Sequence, residues 1–112
     1  MVDAAYSIND SLAFSVCHAL AKQEGMLLGA STGAIVAAAL ADAQRFTKPQ
    51  TMLLLNPDRG DRYMETVYNR DWLTAQNIDI LQNTKLTEAI ANLLPVPLVV
   101  SEVELLNIIR NT

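Results

Sequence analysis

Glu24-Gly25-Met26-Leu27-Leu28-Gly29-Ala30-Ser31-Thr32-Gly33-Ala34 decides how this chain is read. Met26, Leu27 and Leu28 form an apolar run of strand length, and a helix is expected where the glycines stop. Gly29 suits a turn that needs positive φ. Ser31 or Thr32 can cap the new helix by accepting a hydrogen bond from an exposed N–H. A turn of this kind leaves backbone donors and a hydroxyl at the carboxyl end of a strand, where ligands bind in open α/β sheets. The helix continues through Ile35-Val36-Ala37-Ala38-Ala39-Leu40-Ala41 and has no polar face. Apolar all round, it is expected to be buried beneath a ligand or to lie in a membrane.

Working outward, residues 11–23 place Ala13, Val16, Cys17 and Leu20 at helical spacing. Ser7 with Asp10 has the spacing of a helix start, and Gly25 that of a helix stop. After the alanine run comes a polar connection closed by Pro49, then Thr51-Met52-Leu53-Leu54-Leu55. This uninterrupted apolar run is what a central parallel strand covered on both faces looks like. Helix, strand, helix, strand is the α/β order, and the fold class expected is α/β with a parallel sheet. Asn56-Pro57-Asp58-Arg59-Gly60-Asp61-Arg62-Tyr63 leaves the strand as a turn, with Asp61 placed to cap a helix through Tyr68. Residues 84–94 read as an amphipathic helix stopped by Pro95, residues 98–100 as a short strand, and Ser101 with Glu104 as a capping box for a last helix through Arg110.

Composition narrows the function classes. At 112 residues the chain is one domain at most, with 51% hydrophobic residues and a mean hydropathy of +0.19. A small domain buries only about 60–70% of its unfolded surface, so this apolar content points to a piece of a larger fold or an obligate oligomer. The net charge of −4 without a basic cluster argues against nucleic acid. Cys17, the one cysteine, fits a reducing, cytoplasmic setting. Gly25, Gly29 and Gly33 share the small-xxx-small spacing of membrane dimers. The uncharged run is nevertheless shorter than the roughly 18–20 residues of a span and is interrupted by Ser31-Thr32-Gly33, so no membrane is expected. No metal-ligand spacing is present. His18 lies beside Cys17, but adjacent side chains on a helix diverge by about 100°, so a small buried thiol and a partly exposed imidazole are expected rather than a catalytic pair. Arg59-Gly60-Asp61 spells an adhesion tripeptide by coincidence.

Two features remain, the Ser31 turn and the Pro57 loop, and both follow apolar strands. The first resembles the E-G-(hydrophobic)-G-x-S-[ST]-G-A segment of the fold-type II pyridoxal phosphate enzymes, the group of cysteine synthase and cystathionine β-synthase. The second, Pro57-Asp58-Arg59-Gly60-Asp61-Arg62-Tyr63 with Thr66-Val67-Tyr68, is similar to the P-[DS]-x-G-[ED]-R-Y loop and T-x-[YF] helix of the same enzymes. Arg59-Gly60-Asp61, in place of the commoner Ser-Gly-Glu, resembles the branch that makes a diaminopropionate precursor for siderophores.

The resemblance implies a three-layer α/β/α cofactor domain of the tryptophan synthase β-like type. Residues 1–75 would be its C-terminal part and residues 76–112 an extension packed on it. It implies pyridoxal 5'-phosphate as cofactor, a small amino-acid substrate and a homodimer. Ser31 would hydrogen-bond the pyridine nitrogen, where a neutral hydroxyl leaves the ring a weaker electron sink than a carboxylate would. Thr32 would support the turn, and Pro57 and Asp58 would stand near the ring edge. The family's Schiff-base lysine, substrate-carboxylate loop and phosphate cradle belong to upstream motifs with no match here, and Lys22, Lys48 and Lys85 stand in other contexts. No catalytic residue is therefore assigned, and the chain alone is expected to be inactive within a β-replacement synthase. The alternative is a non-enzymatic α/β interaction module, a split or decayed remnant.

Overall fold

The structure, a computed structural model, describes residues 3–97 and Arg110. Its frame is a pair of helices, α1 (Asp10–Glu24) and α2 (Ala30–Ala43). Asn9, not Ser7, caps α1, its side chain accepting from the Leu12 N–H at 2.8 Å. Gly25 ends it at φ 66° with its N–H on the Leu20 carbonyl, as its spacing predicts. One face of α1 buries Leu12, Ala13, Val16 and Cys17.

The two helices meet at Gly33. A Cβ built there would collide with the Ala13 carbonyl oxygen and come within 2.6 Å of the Cys17 sulfur. Only a bare Cα lets the backbones approach this closely. The contact face of α2 consists of Thr32, Gly33, Ala37 and Ala41. Burial of α2 is one-sided: Leu40 is exposed, and Ile35 and Val36 are only half covered. The expectation of a helix buried all round is corrected to a helix covered on one side, by α1 and the segment carrying Leu86 and Ile90.

The expected parallel sheet is absent among the described residues. Met26-Leu27-Leu28 makes only an isolated antiparallel bridge, Leu28 to Arg59. Residues 51–55 carry no strand pairing, with Leu53 99% and Leu55 77% exposed. A strand exists only where a neighbour takes its backbone N–H and C=O groups; Met52 and Leu54 border a cleft with Tyr6 and α2, but among the described residues no backbone pairs with this segment. Apolar, β-prone sequence alone does not supply that neighbour.

After the Pro57 turn, Gly60–Tyr63 forms one 3₁₀ turn that leads into further turns up to Tyr68. Arg59 stands at its N-cap position without a side-chain cap, so Asp61 does not start the expected helix. Arg59 and Asp61 instead form an exposed ion pair at 3.4 Å. Asn69 caps the short α3 (Arg70–Ala75) through the Trp72 N–H. Helix α4 (Asn83–Ala91) falls where the amphipathic pattern predicts it. Leu86, Ala89, Ile90 and Leu93 lay it over Leu12, Val16 and Ala37 of the helix pair. A second cluster joins Ala13, Phe14, Cys17, Val67 and Leu73. The strand expected at 98–100 and most of the helix expected from Ser101 lie outside the described residues. No described helix is long and apolar enough to cross a membrane.

Candidate functional site

The turn into α2 and the Pro57 loop do come together. The Gly29 N–H donates to the Asp58 carbonyl at 3.3 Å, and the Gly60 N–H donates to the Leu27 carbonyl at 3.0 Å. One residue into the helix past Ser31, the Thr32 hydroxyl donates to Asn56 Oδ1 at 2.5 Å. The bonds at 29 and 32 flank Ser31, and their partners at 58 and 56 flank Pro57. Thr32 is buried, so its hydroxyl would be costly to leave unpaired.

Gly29 is needed here for a reason its sequence context does not reveal. Its φ is −75°, open to any residue, and it serves as the N-cap of α2 without a side-chain bond. Space is what demands glycine: the Asp58 carboxylate lies where a Cβ would stand, with the Tyr63 ring edge 3.1 Å from the same point. The expected positive φ at Gly29 is thus corrected to a close approach. The expected cap by Ser31 or Thr32 is corrected as well, because Gly29 occupies the N-cap position and Thr32 points to Asn56.

Ser31 is therefore free. It is exposed in the first turn of α2, and its hydroxyl makes no protein hydrogen bond among the described residues. A hydroxyl held by a rigid helix start, unused for capping and open to solvent, can donate to a heteroaromatic nitrogen. The residues present accordingly fit the ring-nitrogen side of a pyridine cofactor.

Asp58 is held from one side. Tyr63 donates its hydroxyl to Oδ2 at 2.6 Å, while Oδ1 is buried and accepts no hydrogen bond. That hydrogen bond to Asp58 is the main reason that the Tyr63 phenol is pushed above its ordinary value, since ionising it would remove the proton it donates. Arg62 makes no ion pair with Asp58 among the described residues. Beneath the turn, the Cys17 thiol donates to the Gly29 carbonyl at 3.4 Å, and burial raises its pKa. His18 faces elsewhere, its Nε2 2.6 Å from the Val67 carbonyl and its ring stacked on Tyr68. The two residues form no catalytic pair. Among the described residues no cluster of potential metal ligands exists.

Tyr68 and Asn56 complete the turn, and single-residue reading had given neither a role. The Tyr68 hydroxyl donates to the Leu28 carbonyl at 2.6 Å, and Asn56 receives Thr32. The signal for Tyr68 was its place as the aromatic residue of Thr66-Val67-Tyr68, and that for Asn56 its place just before Pro57.

No protein-family model matches the chain. Comparison with curated proteins finds N-(2-amino-2-carboxyethyl)-L-glutamate synthase of Ralstonia nicotianae, 38% identical over 72 residues, which are 64% of this chain and 21% of that protein. The same-named synthase of Cupriavidus metallidurans is 40% identical over 75 residues. Cysteine synthase of Helicobacter pylori is 41% identical over 63 residues, 56% of this chain and 21% of the relative. Over more than half its length, this chain is similar to enzymes of the cysteine synthase family. The matched stretch spans about a fifth of each of these relatives. The cysteine synthase-like sequence thus folds here as a helix pair with a bonded double turn, and its apolar residues 51–55 lie unpaired.

Proposed function

We propose that this chain forms one wall of the cofactor site in a pyridoxal phosphate-dependent β-replacement synthase, with Ser31 facing the pyridine nitrogen. The exposed Ser31 hydroxyl, left free by the Gly29 N-cap, is the observation that carries this reading. When bound, the cofactor supplies the electron sink that lets one group leave the β-carbon of an amino acid and another take its place. This chain's own part is positional. Thr32 and Asn56 fix the start of α2, Asp58 and Tyr63 hold the facing turn, and Ser31 offers a neutral donor. In Ser31→Asp an anion would replace that donor and hold a proton on the ring.

The names of the relatives support the reaction class. Cysteine carries sulfur on the β-carbon of alanine. N-(2-amino-2-carboxyethyl)-L-glutamate carries the glutamate nitrogen on the same carbon. Both structures are consistent with a nucleophile replacing a leaving group on the β-carbon of a serine derivative, and a small amino acid is accordingly the substrate proposed here. Residues 1–75 are assigned to the cofactor domain and 76–112 to an extension, in a cytoplasmic homodimer. The remaining walls and the Schiff-base lysine come from the rest of the enzyme, since Lys22, Lys48 and Lys85 are exposed on other segments.

In the loaded enzyme carrying this segment, Ser31→Ala is expected to change the visible absorption of the cofactor and to lower turnover, with Ser31→Asp lowering it further. Unchanged spectrum and turnover would overturn the role of Ser31. The chain alone, mixed with pyridoxal phosphate and dialysed, is expected to retain no cofactor band, and a stoichiometric band would contradict the external lysine. A second reading, a non-enzymatic interaction module, draws on the exposed Leu53 and Leu55. A strictly monomeric chain in sedimentation would speak against it.

A further inference from the structure

Away from Ser31, the surface holds a cleft of about 470 Å³ between the C-terminal half of α1, the turn at Tyr68 and Arg70, and residues 80–83 leading into α4. Small-molecule sites commonly measure about 300–1,000 Å³. The stacked rings of His18 and Tyr68, with centroids 5.5 Å apart, both border it. Each ring is held by a bond made outside the cleft, His18 at the Val67 carbonyl and Tyr68 at the Leu28 carbonyl. Ile80 and Leu86 add apolar wall.

The charge around this cleft is one-sided. The protein has 12 carboxylates against 8 lysines and arginines, yet no Asp or Glu lines the cleft, whereas Lys22 and Arg70 do. Neither cation has an ion-pair partner among the described residues; the ion pairs there are Arg45–Asp42 and Arg59–Asp61. Two unpaired cations on a partly enclosed apolar surface focus a positive potential that an anion satisfies. We infer that this cleft binds a small organic anion, its apolar or aromatic body against His18, Tyr68 and Leu86 and its carboxylate drawn to Lys22 and Arg70. Tyr68 is shared with the Ser31 turn through its bond to the Leu28 carbonyl, but Lys22 and Arg70 are not, so loss of the anion site would leave the function proposed above untouched.

Benzoate titrated into the full chain and followed by backbone amide NMR tests this. Saturable shifts are expected at His18, Lys22, Arg70 and residues 81–83, and none at residues 29–33. Benzyl alcohol, the same ring without charge, should bind at least about tenfold more weakly, as should benzoate to the Lys22→Gln/Arg70→Gln variant. Both cations are exposed, and unchanged amide dispersion would show that the variant folds. Absence of saturable shifts, equal binding of the alcohol, or unaltered affinity in the variant would each overturn the site.

Discussion

Cys17 has no solvent exposure and Leu53 has 99%, although both sit in apolar stretches of one short chain. The two regions differ in what they require from elsewhere. Helix α1 satisfies its own backbone and needs only a complementary face, which α2 provides at Gly33, Ala37 and Ala41. Residues 51–55 need partners for the backbone itself, and the described chain offers none. Apolar side chains are buried here only where the backbone is already satisfied. The double turn around Ser31 is the seam between the two regions, tied to the helix pair through Gly29 and Thr32 and to the unpaired ribbon through Asn56.

The largest effect is expected in the helix pair. Gly33→Ala gains up to about 1 kcal/mol of helix propensity, but its methyl group would drive into the Ala13 carbonyl. Forced separation of packed helices costs about 1–3 kcal/mol, so a net loss of stability is expected in urea unfolding. Leu53→Ser in the ribbon should change stability by less than about 0.5 kcal/mol. A larger loss at Leu53 would break the contrast by showing that the ribbon has a partner in solution.

A smaller effect sharpens the same contrast at high pH. Burial, with Cys17 nearby, pushes the Tyr68 phenol up to about 12 from an ordinary value of 10.0. The folded state therefore favours the protonated phenol. Its contribution is complete below pH 10 and is lost as pH rises from 10 towards about 12, because the unfolded chain gives up its proton first. Stability measured by chemical denaturation should fall across that window, and Tyr68→Phe should flatten the fall.

The smallest effect tests the seam. Thr32→Ala removes the buried bond to Asn56 and should cost about 1 kcal/mol, while Ser31→Ala should stay within about 0.5 kcal/mol. The reverse order, read from thermal unfolding, would mean that Ser31 caps α2 and is not free for a ligand.

Helix α1, its stop at Gly25 and helix α4 were legible because apolar spacing and termination signals act within a few residues. The meeting of the Ser31 turn with the Pro57 loop was legible because each follows an apolar run of strand length, and the resemblance joined them in one site, whereas no local rule links positions 26 residues apart. The partners within it were not legible: Asn56 for Thr32, Tyr63 for Asp58, and Asn9 as the cap of α1. Each is one of several polar neighbours that a sequence offers equally, and side-chain geometry selects among them.

By itself the sequence determined helices α1, α2 and α4, because periodicity and termination signals are properties of neighbouring positions; the 3₁₀ turn at Gly60–Tyr63, the short α3 and the unpaired residues 51–55 were not written in it. By similarity it also pointed, over more than half of the chain, to enzymes named cysteine synthase and N-(2-amino-2-carboxyethyl)-L-glutamate synthase. Tertiary structure alone decided why Gly29 and Gly33 are glycines and that Ser31 is the hydroxyl left over. Those outcomes depend on which atoms arrive from distant segments to fill a given space, and no window of local sequence contains that information.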